Sequence, residues 1–170
     1  SSVGAGLEKY DVVGPARDIA AFVDDLSTWY VRRSRDRFKD PKSDADAAAP
    51  VVLRKVLSDL ARLMAPFTPF LADALYSALG GRMASVHLEE WPDAIGRDET
   101  LEASMHDVRA AASLGLERRA AAGMPVRQAL ASATVRSPRE FAPWMRVMLA
   151  NELNVHEVRW EKAAEATAVE

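Results

Sequence analysis

Apolar side chains recur along the first part of the chain at the i, i+3, i+4, i+7 spacing that places them on one face of an α-helix. The first series predicts a helix over residues 10–38. Pro41 prevents this helix from continuing, because proline has no backbone N–H and its ring clashes with the preceding turn. The inward positions of this helix are Ile19, Phe22, Val23, Leu26 and Tyr30.

Three further helices are predicted before residue 123, each bounded by residues that start or stop helices. The bounding residues are Ser43 or Asp44 and Ala65-Pro66 for the second helix, Pro66 and Gly80-Gly81 for the third, and Glu99 and Gly123 for the fourth. The predicted inward positions are Val52, Leu53, Val56, Leu57, Leu60 and Leu63 on the second; Phe67, Phe70, Leu71, Ala74, Leu75 and Leu79 on the third; and Leu101, Met105, Val108, Ala112 and Leu116 on the fourth.

After residue 123 the pattern changes to two strands, over residues 128–135 and 155–160, that flank a helix over 138–152. The predicted fold is therefore mainly α: a helical bundle with a small C-terminal α+β appendage. The predicted organisation is a helical domain over residues 10–123, an α+β unit over 124–161, and flexible ends over 1–9 and 162–170. Between the third and fourth helices, Val86, Leu88 and Trp91 are expected to plug the core.

The composition excludes several classes of protein. Of the 170 residues, 49% are hydrophobic, so the chain can bury a core, but no apolar run approaches the roughly 18 residues of a membrane span. Cysteine is absent, and the three histidines are too scattered to suggest a metal site. The chain begins with serine rather than methionine, and we expect it to be a piece of a longer polypeptide or to carry an expression-derived end.

The net charge of −3 argues against a nucleic-acid binder, unless a local cluster of positive charge supplies the contact. Residues 29–39, here called the basic stripe, hold five basic residues and one acidic one. At about 100° per residue, three of the basic residues face solvent: Arg32, Arg35 and Lys39, the outer cations. The other two are Arg33 and Arg37, the inner arginines, which fall on the core-facing side.

Different roles are predicted for the outer cations and for the inner arginines. The outer cations are placed to follow a phosphate backbone. The inner arginines are expected to pair with carboxylates of neighbouring helices, because an uncompensated buried charge costs several kcal/mol. The alternative for the whole stripe is a solvated helix face without a partner, and composition alone favours that alternative.

Aromatic side chains that stack on RNA bases are the second candidate contact. Trp144, Trp91 and Trp160 occur at positions typical of core packing. Only Trp29, beside the basic stripe, is a candidate for touching RNA. Catalytic chemistry is not indicated, since the sequence contains no glycine-rich phosphate loop, no nucleophile–histidine–carboxylate pattern and no carboxylate pair with a reason for perturbed acidity.

Five strings in register resemble the isoleucyl-tRNA synthetase family, of the eukaryote-like branch found also in bacteria. They are DLSTWYVRRSRDRF at 25–38, APFTPFLA at 65–72, SVHL at 85–88 with WP at 91–92, VRQ at 126–128, and NELNV at 151–155. The chain departs from the family pattern at Ala129, where proline is usual, and at Met124-Pro125, where a basic residue usually precedes valine.

The resemblance implies a helical bundle of the class I synthetase anticodon-binding type, which binds the anticodon stem and loop of tRNA(Ile). It implies ATP-dependent aminoacylation, with ATP and Mg²⁺, by a catalytic domain whose HIGH and KMSKS signatures the chain lacks, so no cofactor is expected here. A cytoplasmic, monomeric protein is also implied. The equivalent region of a valyl, leucyl or methionyl synthetase, and a helical protein-interaction module, are the alternatives.

Overall fold

A computed structural model describes residues 2–93, 96–163 and 168–169. The chain forms two compact units, Ser1–Ile95 (the N-terminal unit) and Gly96–Glu170 (the C-terminal unit). The N-terminal unit contains α1 Ser2–Leu7, α2 Val13–Asp25, a π-helical turn Leu26–Val31, α3 Arg35–Lys39, α4 Asp44–Met64, α5 Pro69–Ala78 and a 3-10 turn Val86–Leu88. The C-terminal unit contains α6 Glu99–Ala121, β1 Leu130–Ser137, α7 Pro143–Leu153, β2 Val155–Lys162 and β3 Ala168–Val169.

The helix boundaries follow the local signals in the sequence. The Ser43 hydroxyl accepts a hydrogen bond from the backbone N–H of Asp46 (3.2 Å) and so caps α4, as predicted. Gly80 and Gly123 lie just beyond α5 and α6 with φ of 71° and 66°, which a residue with a Cβ adopts only under strain. Pro50 lies inside α4, and the hydrophobic pattern gave no sign of a proline interrupting this helix.

The core of the N-terminal unit lies between α4, α5 and the 3-10 turn. Its buried residues are Ala61, Ala65, Ala72, Tyr76 and Val86. The 3-10 turn is attached to α5 by Asp73, whose Oδ1 accepts hydrogen bonds from the Ser85 hydroxyl (2.7 Å) and the Val86 N–H (2.9 Å). These two bonds, the Ser85 hydroxyl bond first, hold the pKa of the Asp73 carboxyl below its usual value.

The predicted inward face of the third helix was partly wrong, although Leu75 packs against the core as predicted. Helix α5 begins at Pro69 rather than Pro66, and Phe70 is 90% exposed. Ala72 and Tyr76 are buried in the core instead, with Ala61 and Ala65 at the end of α4. Of the three residues expected as plugs, Val86 is buried, whereas Leu88 and Trp91 are exposed. Other predicted inward positions that are exposed are Phe22, Val23, Val52, Leu71, Ala74 and Leu101.

The C-terminal unit is built on a parallel β1–α7–β2 motif. The sheet order is β2-β1-β3, with Leu130 opposite Val155 and Val135 opposite Trp160 in the parallel pair. Helix α6 packs on α7, where Gly115 is buried against Leu153. A Cβ at position 115 would lie 2.6 Å from a Leu153 methyl carbon, so glycine permits this close approach.

A buried arginine holds the loop between α6 and β1. The Arg119 guanidinium donates to the carbonyls of Leu153 (3.1 Å), Pro125 (2.6 Å) and Gln128, and Arg119 is only 4% exposed. The loop with the two departures from the family pattern is thus fixed from within the C-terminal unit.

Three further expectations differ from the structure: the unit to which α6 belongs, the burial of Trp144 and the state of the chain ends. Helix α6, which we grouped with the helical body up to residue 123, belongs to the compact unit that starts at Gly96. Trp144, expected in the core, is 49% exposed, because α7 turns Met145, Leu149 and Leu153 inward.

The chain ends are the third difference. Val3, in a segment expected to be flexible, is 6% exposed on helix α1. Val169 is 3% exposed and pairs antiparallel with Val135 through β3, a strand too short to show a periodic pattern. The part of the predicted C-terminal end at 164–167 lies outside the described residues.

The mainly α fold with a small C-terminal α+β appendage is confirmed. No strand precedes residue 130 in the described part of the chain. Helices with the length and apolarity needed to cross a membrane are not found among the described residues. In the same residues, no group of three or more histidine and carboxylate side chains is placed to hold a metal ion.

Candidate nucleic-acid interface

The basic stripe lies on the last turns of a nearly continuous helical segment formed by α2, the π-helical turn and α3. The π-helical turn covers the apolar string from Leu26 to Val31 and puts one extra residue into the helix. The buried face therefore continues one residue later than a regular helix predicts. Ser34 lies there, 3% exposed, and its N–H donates to the carbonyls of Tyr30 (3.0 Å) and Val31 (3.2 Å).

This segment is attached to α4 by a hydrogen bond from Tyr30 and by the ion pair between Arg37 and Asp46. The Tyr30 hydroxyl donates to the Ala49 carbonyl (3.1 Å), and the rings of Tyr30 and Phe38 lie 6.4 Å apart. These contacts fix which side of α3 faces α4. The opposite side carries the exposed positive charges.

The outer cations are all exposed: Arg32, Arg35 and Lys39. Arg32 is oriented by its own helix, because its Nε donates to the Thr28 carbonyl (2.6 Å). Their role in binding RNA stays a prediction, since geometry alone does not identify the partner.

Trp29 is half-buried beside the outer cations, and the Arg32 guanidinium lies 6.0 Å from the centre of its ring. This distance is typical of a cation–π contact. An indole and a guanidinium held together provide two flat surfaces on which an unpaired base can stack. The contact was not predicted from the sequence, although the spacing of three residues on a helix permits it.

The inner arginines are half-buried. The Arg37 Nε donates to Asp46 Oδ1 (2.8 Å) and its Nη2 to the Ala45 carbonyl (2.6 Å), so Arg37 links α3 to the first turn of α4. The pKa of the Asp46 carboxyl is held below its usual value, first by the Ser43 hydroxyl and then by Arg37.

Comparison with known proteins places this structure in a class. A family model described as the anticodon-binding domain of tRNA ligase matches residues 1–134, which include the whole basic stripe. The helical fold and this match together define the anticodon-binding class of tRNA-ligase domain.

Similarity to individual relatives identifies the family within this class. The chain is 44% identical over 162 residues to the isoleucine–tRNA ligase of Deinococcus radiodurans, covering 92% of this chain and 15% of that protein. It is 41% identical over 161 residues to that of Thermobifida fusca, covering 91% of this chain and 15% of that protein. The chain belongs to the isoleucine–tRNA ligase family, and it spans about 15% of the length of these curated relatives.

Proposed function

We propose that this chain binds tRNA through the outer cations, with Trp29 and Arg32 as the stacking surface for an unpaired base. The observation that carries the proposal is the arrangement of the basic stripe: its exposed side bears positive charge, while its other side is fixed to α4. A helix anchored in this way keeps its cations aligned on one surface, which is what contact with a phosphate backbone needs.

The finer proposal is that the partner is tRNA(Ile), bound at its anticodon stem and loop by a monomer in the cytoplasm. The relatives are named isoleucine–tRNA ligases, and the matching family model is described as anticodon-binding. In the whole ligase, we propose that ATP and Mg²⁺ serve aminoacylation in parts of the protein outside this chain. This chain would position the tRNA and would itself hold no cofactor.

The test is a pair of double variants that change the charge equally. Arg35→Ala with Lys39→Ala removes two outer cations, and Lys9→Ala with Arg17→Ala removes two exposed cations elsewhere in the N-terminal unit. Binding of tRNA(Ile) is measured by anisotropy over a range of salt concentrations. We expect the first pair to weaken binding and to make the log–log salt slope shallower by about 0.7–0.9 for each lost phosphate contact.

The control pair should retain the wild-type affinity apart from a small nonspecific loss. Equal losses in both pairs would show that net charge, rather than the basic stripe, determines binding. Absence of any salt-dependent tRNA binding by the wild-type chain would contradict the proposed function itself. A tRNA for another amino acid, bound equally well, would refute only the choice of tRNA(Ile).

A further inference from the structure

A second group of arginines, which the sequence pattern did not single out, surrounds a cavity at the end of α5. The cavity has a volume of about 280 Å³, and its arginines are Arg54, Arg62 and Arg82. Arg54 and Arg62 lie on α4, and Arg82 follows α5. Because they are separated by up to 28 positions in sequence, only the packing of α4 against α5 brings them together.

The Gly80-Gly81 turn forms one wall of this cavity. A Cβ at position 81 would lie 2.1 Å from the Tyr76 ring, so Gly81 admits no side chain without a shift of Tyr76. Gly80 has φ 71°, and a Cβ there would lie 3.3 Å from Arg54 Nη2. Two adjacent glycines keep side chains out of this wall of the cavity, and their N–H groups donate to the Ser77 and Tyr76 carbonyls.

The charge of the cavity is positive. Three guanidiniums face one carboxylate, Glu89, which accepts a hydrogen bond from the Tyr76 hydroxyl. Arg62 is partly neutralised by Asp59, and Arg54 donates to the Leu79 carbonyl at the end of α5 (2.6 Å). The negative end of the α5 dipole, about half a charge, does not offset the remaining positive charge.

Two side-chain groups at this cavity have unused hydrogen-bonding capacity. Arg82 is exposed and makes no hydrogen bond or ion pair within the described residues. The Nε of Arg62 is buried and lacks a hydrogen-bond partner among the described residues. The donors of the exposed Arg82 guanidinium are available to a phosphate group, whereas the buried Arg62 Nε is not accessible to a ligand.

The cavity adjoins the basic stripe. Arg54, Leu79 and Gly80 also line a neighbouring cavity, whose wall includes Phe38 of α3. Phe38 belongs to the basic stripe, so the two cavities connect this site with the α4-facing side of α3.

We propose that the cavity formed by Arg54, Arg62, Arg82 and the Gly80-Gly81 turn is a phosphate-binding site for a backbone phosphodiester of the bound tRNA. This inference rests on the proposed function, and it extends the RNA contact from α3 to the end of α5. Glu89 limits the affinity, because its carboxylate repels the phosphate across the same cavity.

The first experiment examines the cavity without RNA. Inorganic phosphate is titrated into the chain at constant ionic strength, and the backbone amide shifts of residues 80–82 are followed by NMR. We expect saturable shifts confined to this turn. Arg82→Ala should weaken phosphate binding about two- to fivefold, and Glu89→Gln should strengthen it by a similar factor, since each changes one charge in a partly exposed site. Arg17→Ala, the control, should leave it unchanged.

Glu89→Gln keeps an oxygen that accepts from the Tyr76 hydroxyl, so its effect reports the charge rather than a loss of structure. Unchanged melting temperatures of the Arg82→Ala and Glu89→Gln proteins check that both fold. Absence of saturable shifts at residues 80–82, or equal phosphate binding by the Glu89→Gln protein, would overturn the site.

The second experiment uses tRNA and separates this inference from the proposed function. If wild-type chain binds tRNA, we expect Arg82→Ala to weaken binding and to reduce the salt slope by about 0.7–0.9. An effect of the Arg35→Ala, Lys39→Ala pair without an effect of Arg82→Ala would retain the proposed function and refute the cavity as a tRNA contact. Phosphate binding by a chain that binds no tRNA would refute the proposed function and leave an anion site unrelated to RNA.

Discussion

Arg37 shows how a single residue inside a basic cluster takes a structural role. Its guanidinium donates to the Asp46 carboxylate and the Ala45 carbonyl, while Lys39, two residues later, is exposed. The same type of charge serves two purposes in one short helix, because one side of α3 faces α4 and the other faces solvent.

Arg37→Ala should therefore reduce stability more than it reduces RNA binding. We expect the melting temperature to fall by about 2–8 °C, because two hydrogen bonds to the start of α4 are lost at a half-exposed site. Lys39→Ala is the matched comparison and should change the melting temperature little while weakening tRNA binding. A loss of tRNA binding in Arg37→Ala at an unchanged melting temperature would show that we assigned the faces of the helix incorrectly.

The Asp73 carboxyl makes the stability of the N-terminal unit depend on pH. Its pKa is lowered in the folded protein by the Ser85 hydroxyl and the Val86 N–H, so the folded state favours the charged form. The resulting stability is present above the ordinary aspartate pKa of about 3.9 and is lost as the pH falls through the lower, folded pKa.

We expect Asp73→Asn to lower the melting temperature at neutral pH and to reduce its decline between about pH 5 and pH 3. Thermal unfolding followed by circular dichroism at several pH values measures both effects. Asp18→Asn, an exposed aspartate on α2, should leave the pH profile unchanged. A wild-type profile retained in Asp73→Asn would show that other carboxyl groups control the acid transition.

At the scale of the elements, the contact between α6 and α7 depends on the absence of a side chain at position 115. Alanine favours the helix by about 1 kcal/mol over glycine. Its Cβ would however collide with Leu153, which is 2% exposed and cannot move without disturbing the core.

Gly115→Ala should therefore destabilise the chain by about 1–2 kcal/mol, because the cost of overpacking exceeds the gain in helix propensity. Ser113→Ala, at an exposed position of the same helix, should be neutral or slightly stabilising. Chemical denaturation of both variants distinguishes the two effects. A more stable Gly115→Ala protein would mean that Leu153 repacks easily.

At the scale of the whole molecule, the chain belongs to the isoleucine–tRNA ligase family, and we expect the chain itself to bind tRNA without catalysing aminoacylation. We predict that the purified chain gives no isoleucine-dependent pyrophosphate exchange above background, because the HIGH and KMSKS signatures for binding ATP are absent from its sequence. The same assay with a full-length isoleucine–tRNA ligase is the positive control. Exchange by the 170-residue chain would contradict this prediction.

The sequence by itself determined both ends of α4 and α6 and the C-terminal ends of α5 and α7. Proline, glycine and capping residues act on the few residues around them, and so Ser43 caps α4 and Gly123 follows α6 as predicted. The five strings also indicated the family, because their order and spacing are properties of the sequence alone. Those signals depend on neighbouring residues or on their order along the chain, so they can be recognised without knowing how the helices pack.

Only the tertiary structure decided which faces are buried. Phe70 is exposed whereas Ala72 and Tyr76 are buried with Ala61 of α4, because the position of α4 decides which face of α5 is covered. The π-helical turn shifted the buried face to Ser34, and the pairing of Val169 with β1 needed a sheet already formed.

The cavity formed by Arg54, Arg62 and Arg82 is also a feature that only the tertiary structure decided. Arg54 and Arg82 are unremarkable in the sequence, 28 residues apart, and they share a cavity only because α4 and α5 pack side by side. Local rules set the bounds of each helix, since hydrogen bonds within a helix reach four residues. The grouping of distant charges depends on contacts between helices, which no local pattern contains.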